Sequence, residues 1–564
     1  MRLPRRAVYC SSYWDGVPHR GRGCLESDRV TTMMDRVANV ELPERYNLVE
    51  HFVDRHIRDG RGDRTAIICG DKRVTYREVA EQVNRVGNGL LRLGLQQEQR
   101  VLLVLPDTLE FAAAYFGAMK IGAVAVPTST AARASEYAYF LQESRARIAI
   151  IHSNLLAELA PALSDQPYCK NVIVCGEPVG GYISWNQFVD DASPQLDPAC
   201  TSKDDTAFWL WTSGSTGRPK AAVHLHHNWV YCCEYYARGV VDIKADDVTF
   251  SSSKLFHAYG LGNGLMFPFH VGASTILYPG KSQARAILDT AQGNRPTLFF
   301  SVPTLYAAML QEAEQNTAYD LRSIRLAISA AEPLPADIFR RWKNRFAIEI
   351  LDGIGSTEVL HIYLSARAGH VRPGSTGQPV PGYQLALVDH AGAPVAAGTI
   401  GDLMVAGPSI ASCYWNRRAL SQERMRGRWF VTGDKYRVDE DGYYWYAGRS
   451  DDMFRVSGQW VSPIEVECTL IEHPCVLEAA VIAYEEDTGL HTPKAFVVLR
   501  QGHAGNRELV GELQDFVKRR IAPHQYPRRI EFVAELPKTA AGKVLRYKLR
   551  ELSRGTVGSQ SQRS

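Results

Sequence analysis

The chain has 564 residues, 45% of them hydrophobic, which is enough for several cores rather than one, so more than one domain is expected. Its 64 basic and 61 acidic residues leave a net charge of +3 with no long block of one sign, so it carries no electrostatic footprint for nucleic acid or an anionic membrane surface. The 11 cysteines are odd in number and lack a C-x-x-C spacing, which argues against a disulfide framework or a zinc site and for reduced thiols in a cytoplasmic setting.

Residues 1–41 read as an irregular extension. Arg2, Arg5 and Arg6 are followed by no apolar run of signal-peptide length, and Asp15, Glu26 and Asp28 do not fit a transit peptide. Regular patterning begins near Tyr46, where Leu48, Val49, Phe52 and Val53 recur at helical spacing. A strand over 65–69 follows, then a helix over 76–93 with Thr75 and Glu78 placed as a capping box. Residues 101–105 form a near-continuous apolar strand, and Asp107 is expected to cap a helix over 109–121. Further apolar strands over 123–126, 147–151 and 171–175 alternate with helical stretches. Such strands point to a parallel sheet covered on both faces.

The next stretch carries the first chemistry. Thr212, Ser213, Gly214, Ser215, Thr216 and Gly217 run into Arg218-Pro219-Lys220, directly after the apolar residues 207–210. Glycines let backbone amides approach an anion, hydroxyls add donors and lysine adds charge, so the composition suits phosphate. It is not a Walker A loop, because Pro219 precedes the lysine and a strand-like Ala221-Ala222-Val223 follows it. A polar surface loop is the plainer reading of the same residues. Residues 228–238 predict a helix whose Trp229, Tyr231, Tyr235 and Tyr236 suit a core as well as a ligand wall. His257 and Tyr259 stand among small and apolar residues, where a satisfied core histidine is the alternative. Residues 326–334 form a strand ending in small residues. In residues 352–358, Gly353 and Gly355 suit a tight turn that presents Thr357 and Glu358 together, with His361 expected on the same helix face three residues on. Asp434 ends a strand, where it can hold a ribose or cap a helix. After Asp451-Asp452 the elements shorten, with strands over 479–483 and 495–499 and a helix over 508–521, which implies a small α+β domain.

Several runs occur together in one order: residues 212–220, Asp352-Gly-Ile-Gly-Ser-Thr-Glu358, Trp429-Phe-Val-Thr-Gly-Asp434, Gly448-Arg449-Ser-Asp451-Asp452 with Val456-Ser457-Gly458, and Pro537 to Lys543. This set resembles the adenylate-forming superfamily of acyl- and aryl-CoA ligases, carrier-protein adenylation domains and beetle luciferases. Within it, the runs over 255–262 and 456–463 are most similar to benzoate-CoA ligase and its aryl-acid relatives, most of which have an aromatic residue where His257 stands. The resemblance spans roughly residues 42–549.

It implies an α/β fold: a large N-terminal domain, residues 42–450, of parallel-rich sheets covered by helices, and a small mobile α+β lid, residues 451–564, turning about Asp451. It further implies that Thr212 to Gly217 and Lys220 cradle the phosphates of ATP, that Ala331, Glu332, Asp352, Gly353 and Ile354 border adenine, and that Asp434 and Arg449 hold the ribose. Thr357, Glu358 and Lys543 become the catalytic groups, with Glu358 the Mg2+ ligand. Tyr236, His257, Ala330 and His361 wall a small aromatic carboxylic acid, and Ser457 and Gly458 border the coenzyme A channel. The implied activity is ATP-dependent activation of benzoate or a substituted benzoate as the acyl-AMP, then transfer to coenzyme A. Loading of a separate carrier protein is the alternative.

Overall fold

The computed structural model describes residues 40–164, 166–212, 218–316, 318–456, 459–486, 491–538 and 544–555. Among them the strands form five sheets. Two are large and parallel in their middle; the first is antiparallel at one end and the second at both. In the first, Arg100–Val104 lies between Val124–Pro127 and Ile148–His152, all parallel, and Asn171–Cys175 extends the sheet. Its other end is Thr206–Thr212, followed by the antiparallel strands Lys220–Leu225 and Cys413–Tyr414. In the second, Leu326–Ser329 lies parallel between Leu298–Ser301 and Ile350–Gly355, and Ile362–Ser365 pairs antiparallel with the latter. Burial explains the run-on apolar character: every residue of Leu298–Ser301 and Leu326–Ser329 is buried.

A third, antiparallel sheet carries Gln384–Val388, Gly401–Ala406, Trp429–Val438 and Tyr444–Arg449. Beyond it the strands are separate again. Phe454–Val456 pairs with Gln459–Val461, and Val476–Glu485, His491–Leu499 and Arg529–Phe532 make a three-stranded sheet with a core of its own around Val466, Leu470, Val481 and Leu513. The fold is thus a mixed α/β architecture with a large N-terminal part and a small C-terminal one.

Local expectations hold in the helix Tyr76–Arg92, whose Thr75 side chain accepts from the Glu78 amide while Glu78 returns a bond to the Thr75 amide at 2.7 Å. Three other expectations are corrected. Asp107 does not cap Leu109–Lys120. It is buried, accepts the Leu255 N–H at 3.0 Å and faces Lys254 Nζ at 3.6 Å, so it tethers the segment after Val248–Ser251 instead. Gly353 and Gly355 are not turn residues but belong to the strand Ile350–Gly355, where a Cβ would meet Ile362 Cγ2 at 3.0 Å and the His361 carbonyl oxygen at 2.6 Å. Glu358 and His361 do not share a helix face, because Leu360 stands between them at φ +79.

Charge burial sets a pH dependence. Burial holds His51 down to about 2, His56, His224 and His257 to about 4, and His226 and His361 to about 3. A lowered histidine contributes stability that is present above its unfolded pKa near 6.5 and lost as pH falls through it. These six imidazoles therefore make unfolding take up protons below pH 6.5. Asp107, pushed up to about 6 by burial, acts in the opposite sense, since its contribution is lost as pH rises through that value. The histidines outnumber it. The melting temperature should fall by roughly 10 °C between pH 7 and pH 5; a flat profile measured by scanning calorimetry would contradict the buried, neutral histidines.

Candidate functional site

A cavity of 390 Å³ lies where the ends of these sheets meet the C-terminal elements. It is lined by most of the residues that the sequence singles out for nucleotide: Thr212, Lys220, Ala331, Glu332, Asp352, Gly353, Ile354, Thr357, Glu358, Asp434 and Arg449.

One end of the cavity is built on a hairpin. Thr212 and Lys220 are register partners closing Thr206–Thr212 against Lys220–Leu225. Ser213 to Gly217 themselves lie outside the described residues. Just past them, Pro219 is anchored by its carbonyl, which accepts from Tyr139 Oη at 2.6 Å. The Lys220 ammonium rests 4.5 Å from the ring centroid of Tyr414, and burial lowers its pKa while nearby Glu358 pulls it back up.

Thr357 and Glu358 follow the strand Ile350–Gly355 and are held from the hairpin side. His224 Nε2 bonds to the Thr357 carbonyl at 2.8 Å and the Ala411 N–H donates to the Glu358 carbonyl at 2.7 Å. The Tyr414 hydroxyl donates to Glu358 Oε1 at 2.6 Å. The second oxygen, Oε2, takes no hydrogen bond from the described residues. None of His224, Ala411 and Tyr414 stands out in the sequence. Their signal is pairing, because Cys413–Tyr414 is a two-residue strand placed by its ladder with Val223 and Ala222.

Two further parts of the cavity lining differ in character. Ala331 stands at φ +75, a left-handed conformation uncommon for a residue with a Cβ, directly after the strand Leu326–Ser329. Asp352 is buried and its Oδ1 has no hydrogen-bond partner among the described residues; burial holds its carboxyl well above the usual range, against backbone donors from Leu334 and Gly353. Asp434 pairs with Arg449 across the sheet, with Arg449 Nη1 at 3.1 Å from Asp434 Oδ1 and Tyr446 Oη at 3.4 Å from the same oxygen. Gly433 beside it is at φ +78, and a Cβ there would meet Arg424 Nη1 and Arg449 Nη2 at 3.0 Å, so only glycine lets both guanidinium groups approach.

Tyr236, His257, Ala330 and His361 do not line this cavity. Tyr236 and His361 lie together in a buried ring cluster, their centroids 5.4 Å apart, with Phe267 at 4.4 Å and Tyr259 at 5.6 Å from His361. His361 Nε2 bonds to Asn263 Oδ1 at 3.2 Å. Tyr236 and Asn263 each sit where a helix widens into a π turn, at Cys233–Arg238 and Gly262–Met266, an irregularity frequent near binding sites. Ala330 is buried next to the cavity-lining Ala331. His257 stands apart, its ring packed on Phe256 at 4.4 Å.

From the C-terminal part, Lys538 and Val544 line the cavity and pair as an antiparallel bridge. Lys543 lies outside the described residues, as do Ser457 and Gly458, which fall between the paired Val456 and Gln459. Asp451 follows the cavity-lining Arg449 by two residues. Among the described residues no group of three or more His, Cys, Asp or Glu is placed to hold a metal, none of the cysteines pairs with another, and no helix is long and apolar enough to cross a membrane.

This geometry has close counterparts. The chain is 46% identical over 513 residues to a benzoate-CoA ligase of Thauera aromatica, covering 91% of this chain and 97% of that one, and 42% identical to a 4-hydroxybenzoate-CoA/benzoate-CoA ligase of Rhodopseudomonas palustris, covering 91% and 95%. Its structure matches a crystal structure of an anthranilate CoA ligase in complex with anthranoyl-AMP at a TM-score of 0.89, with 40% identity and coverage of 92% and 99%. It also matches a benzoate CoA ligase from Burkholderia xenovorans LB400 at 0.83, with 43% identity and coverage of 90% and 100%. Residues 53–415 fit the family described as AMP-binding enzyme and residues 465–543 fit the AMP-binding enzyme C-terminal domain. With these matches over most of its length, and with Lys220, Glu358 and the Asp434–Arg449 pair around one cavity, the chain belongs to the AMP-binding enzyme family.

Proposed function

We propose that the protein is an AMP-forming acid-thiol ligase that activates benzoate or a singly substituted benzoate with ATP and transfers the acyl group to coenzyme A. The observation that carries the reading is the single cavity lined at once by Lys220, Thr357, Glu358, Asp434 and Arg449, with Lys538 and Val544 in the same lining. The named relatives act on benzoate, hydroxybenzoate and anthranilate, and the Tyr236–His361 ring cluster, with Phe267 and Tyr259, is an aromatic setting for such a ring. Carrier-protein loading is not favoured, because those relatives are CoA ligases. A cytoplasmic location belongs to the same proposal.

The chemistry follows from the groups present. A carboxylic acid with a pKa near 4 is ionised at neutral pH, so its attack on the α-phosphate of ATP needs positioning and charge relief rather than a general base. The loop from Thr212 through Ser213, Gly214, Ser215, Thr216 and Gly217, with Lys220, meets the phosphates. Ala331, Glu332, Gly353 and Ile354 border adenine, and Asp352 takes up its edge. Asp434, oriented by Arg449, accepts from the ribose hydroxyls. Glu358 fits Mg2+, which typically takes one or two carboxylates and fills its shell with phosphate oxygens and water. One oxygen of that carboxylate is fixed by Tyr414 and the residue borders the cavity beside Thr357. When bound, the ion neutralises phosphate charge. The products of this step are the acyl adenylate and pyrophosphate; the sulfur of coenzyme A then attacks the acyl carbonyl, giving the thioester and AMP.

Pyrophosphate release across a panel of aryl, cyclohexyl and aliphatic acids, with and without coenzyme A, tests the reading. Benzoates should be preferred, and His361→Ala should raise the KM for the aryl acid by about tenfold with little change for ATP. Turnover of hexanoate about tenfold faster than every benzoate would sink it.

The division of labour in the C-terminal part is open to a sharper test. With a domain boundary at residues 450/451 and Asp451 as hinge, Lys543 and Ser457-Gly458 serve different steps. An ammonium is useful while pyrophosphate departs, whereas the missing side chain of Gly458 is useful when a pantetheine arm passes close to backbone. Lys543→Ala should slow adenylate formation by about two orders of magnitude or more and leave the reaction of supplied acyl adenylate with coenzyme A nearly intact, and Gly458→Leu should do the reverse. Single-turnover rates decide: if each substitution slows both steps equally, the two-position reading is wrong.

A further inference from the structure

Tyr414 touches both charged groups at the phosphate end of the cavity. Its hydroxyl donates to Glu358 Oε1 at 2.6 Å, and its ring seats the Lys220 ammonium 4.5 Å from the centroid. It is 3% exposed and fixed on every side: it pairs with Ala222, its N–H donates to Ser421 Oγ at 2.9 Å, and the next residue, Trp415, donates its N–H to the Ala221 carbonyl at 2.9 Å.

The Lys220 ammonium and the Glu358 carboxylate share Tyr414 as a neighbour and attract one another electrostatically. Yet among the described residues Lys220 and Glu358 do not close an ion pair. The phenol gives each a separate partner: a charge-assisted hydrogen bond for the carboxylate and an aromatic face for the ammonium. Were they to meet, the closed pair would have to be opened before either could engage a phosphate or a cation.

We propose that Tyr414 is a positioning residue of this site, a spacer that keeps Glu358 and Lys220 apart so that both remain directed at the cation and triphosphate. The proposal rests on the roles given to those two residues above. It assigns to Tyr414 no contact with the reacting atoms. Phenylalanine would keep the seat for Lys220 but release the carboxylate toward it; leucine would remove both.

The test measures binding and needs no turnover. With the full-length protein, Mn2+ and a non-hydrolysable ATP analogue, the dissociation constant of the metal–nucleotide complex is followed by electron paramagnetic resonance. Tyr414→Phe should weaken it by about tenfold, as expected for losing one hydrogen bond to a charged group, and Tyr414→Leu by more. The KM for the aryl acid and the melting temperature of Tyr414→Phe should stay near those of the parent. In a Glu358→Gln background the same tyrosine change should alter metal–nucleotide affinity by less than about twofold, because the carboxylate it restrains is gone. Unchanged affinity in Tyr414→Phe, or a loss that persists undiminished in the Glu358→Gln background or tracks a fall in melting temperature, would overturn the proposal. Failure of every aryl acid to release pyrophosphate would instead overturn the functional reading, and the two failures are read in separate experiments.

Discussion

Everything at the phosphate end depends on a strand register. Lys220 is opposite Thr212 and Tyr414 is opposite Ala222, in three antiparallel strands appended to a sheet that is otherwise parallel. Because side chains alternate along a strand, a slip by one residue would turn Lys220 and Tyr414 to the other face together. The register also joins the two large sheets. Through His224, Ala411 and Tyr414, the hairpin sheet holds the main chain and the carboxylate of a segment that belongs to the other sheet. The apolar partners that fix it are substantial: Trp209 and Trp415 pack with centroids 4.6 Å apart, with the Arg100 guanidinium over both rings.

Strand direction explains why the groups collect where they do. Thr212, the Ala330-Ala331 step and the Thr357-Glu358 turn all follow the carboxyl ends of strands, and in open parallel sheets those ends carry the ligand crevice. A sheet interior cannot supply such groups, since a buried charge or unpaired amide is costly there. Asp434 is different, lying within the ten-residue antiparallel strand Trp429–Val438, and it is tolerated because its cross-strand neighbour is Arg449.

How much of this was legible in the sequence varies with the range of the interaction that decides it. The capping box at Thr75 depends on neighbours a few residues away, and the strands over 65–69 and 171–175 are marked by continuous apolar runs of their own, so there the residue pattern and the structure agree. Asp107 was misread because its position before a helix has the form of a cap, whereas its actual partner, the Leu255 amide, is 148 residues on. Gly353 and Gly355 look like turn residues, but what excludes a side chain is the neighbouring strand. Tyr414 gave no sign at all: a single tyrosine in a two-residue strand acquires meaning only from Lys220 and Glu358, which reach it through the fold.

Buried polar groups in the described part of the chain fall into contrasting sets. Lys120, 2% exposed, donates to Asp54 Oδ1 and Asn84 Oδ1, both at 2.7 Å, and Asn47 donates to the carbonyls of Met119 and Lys120 at 3.2 Å. These groups lock the first helices to the core. Around the ring cluster provision is poorer, for Tyr236 Oη, Asn263 Nδ2 and His361 Nδ1 are buried and make no well-formed hydrogen bond among the described residues, their neighbours Ser365 and Tyr259 acting on them only weakly. A buried donor or acceptor left unpaired costs about 1–3 kcal/mol, so folding alone gives no reason to retain three of them side by side. A ligand bearing matching polar atoms recovers that cost on binding. On the functional reading proposed above, the aromatic acid enters a place whose ring walls are already packed and whose polar groups are the part still wanting partners.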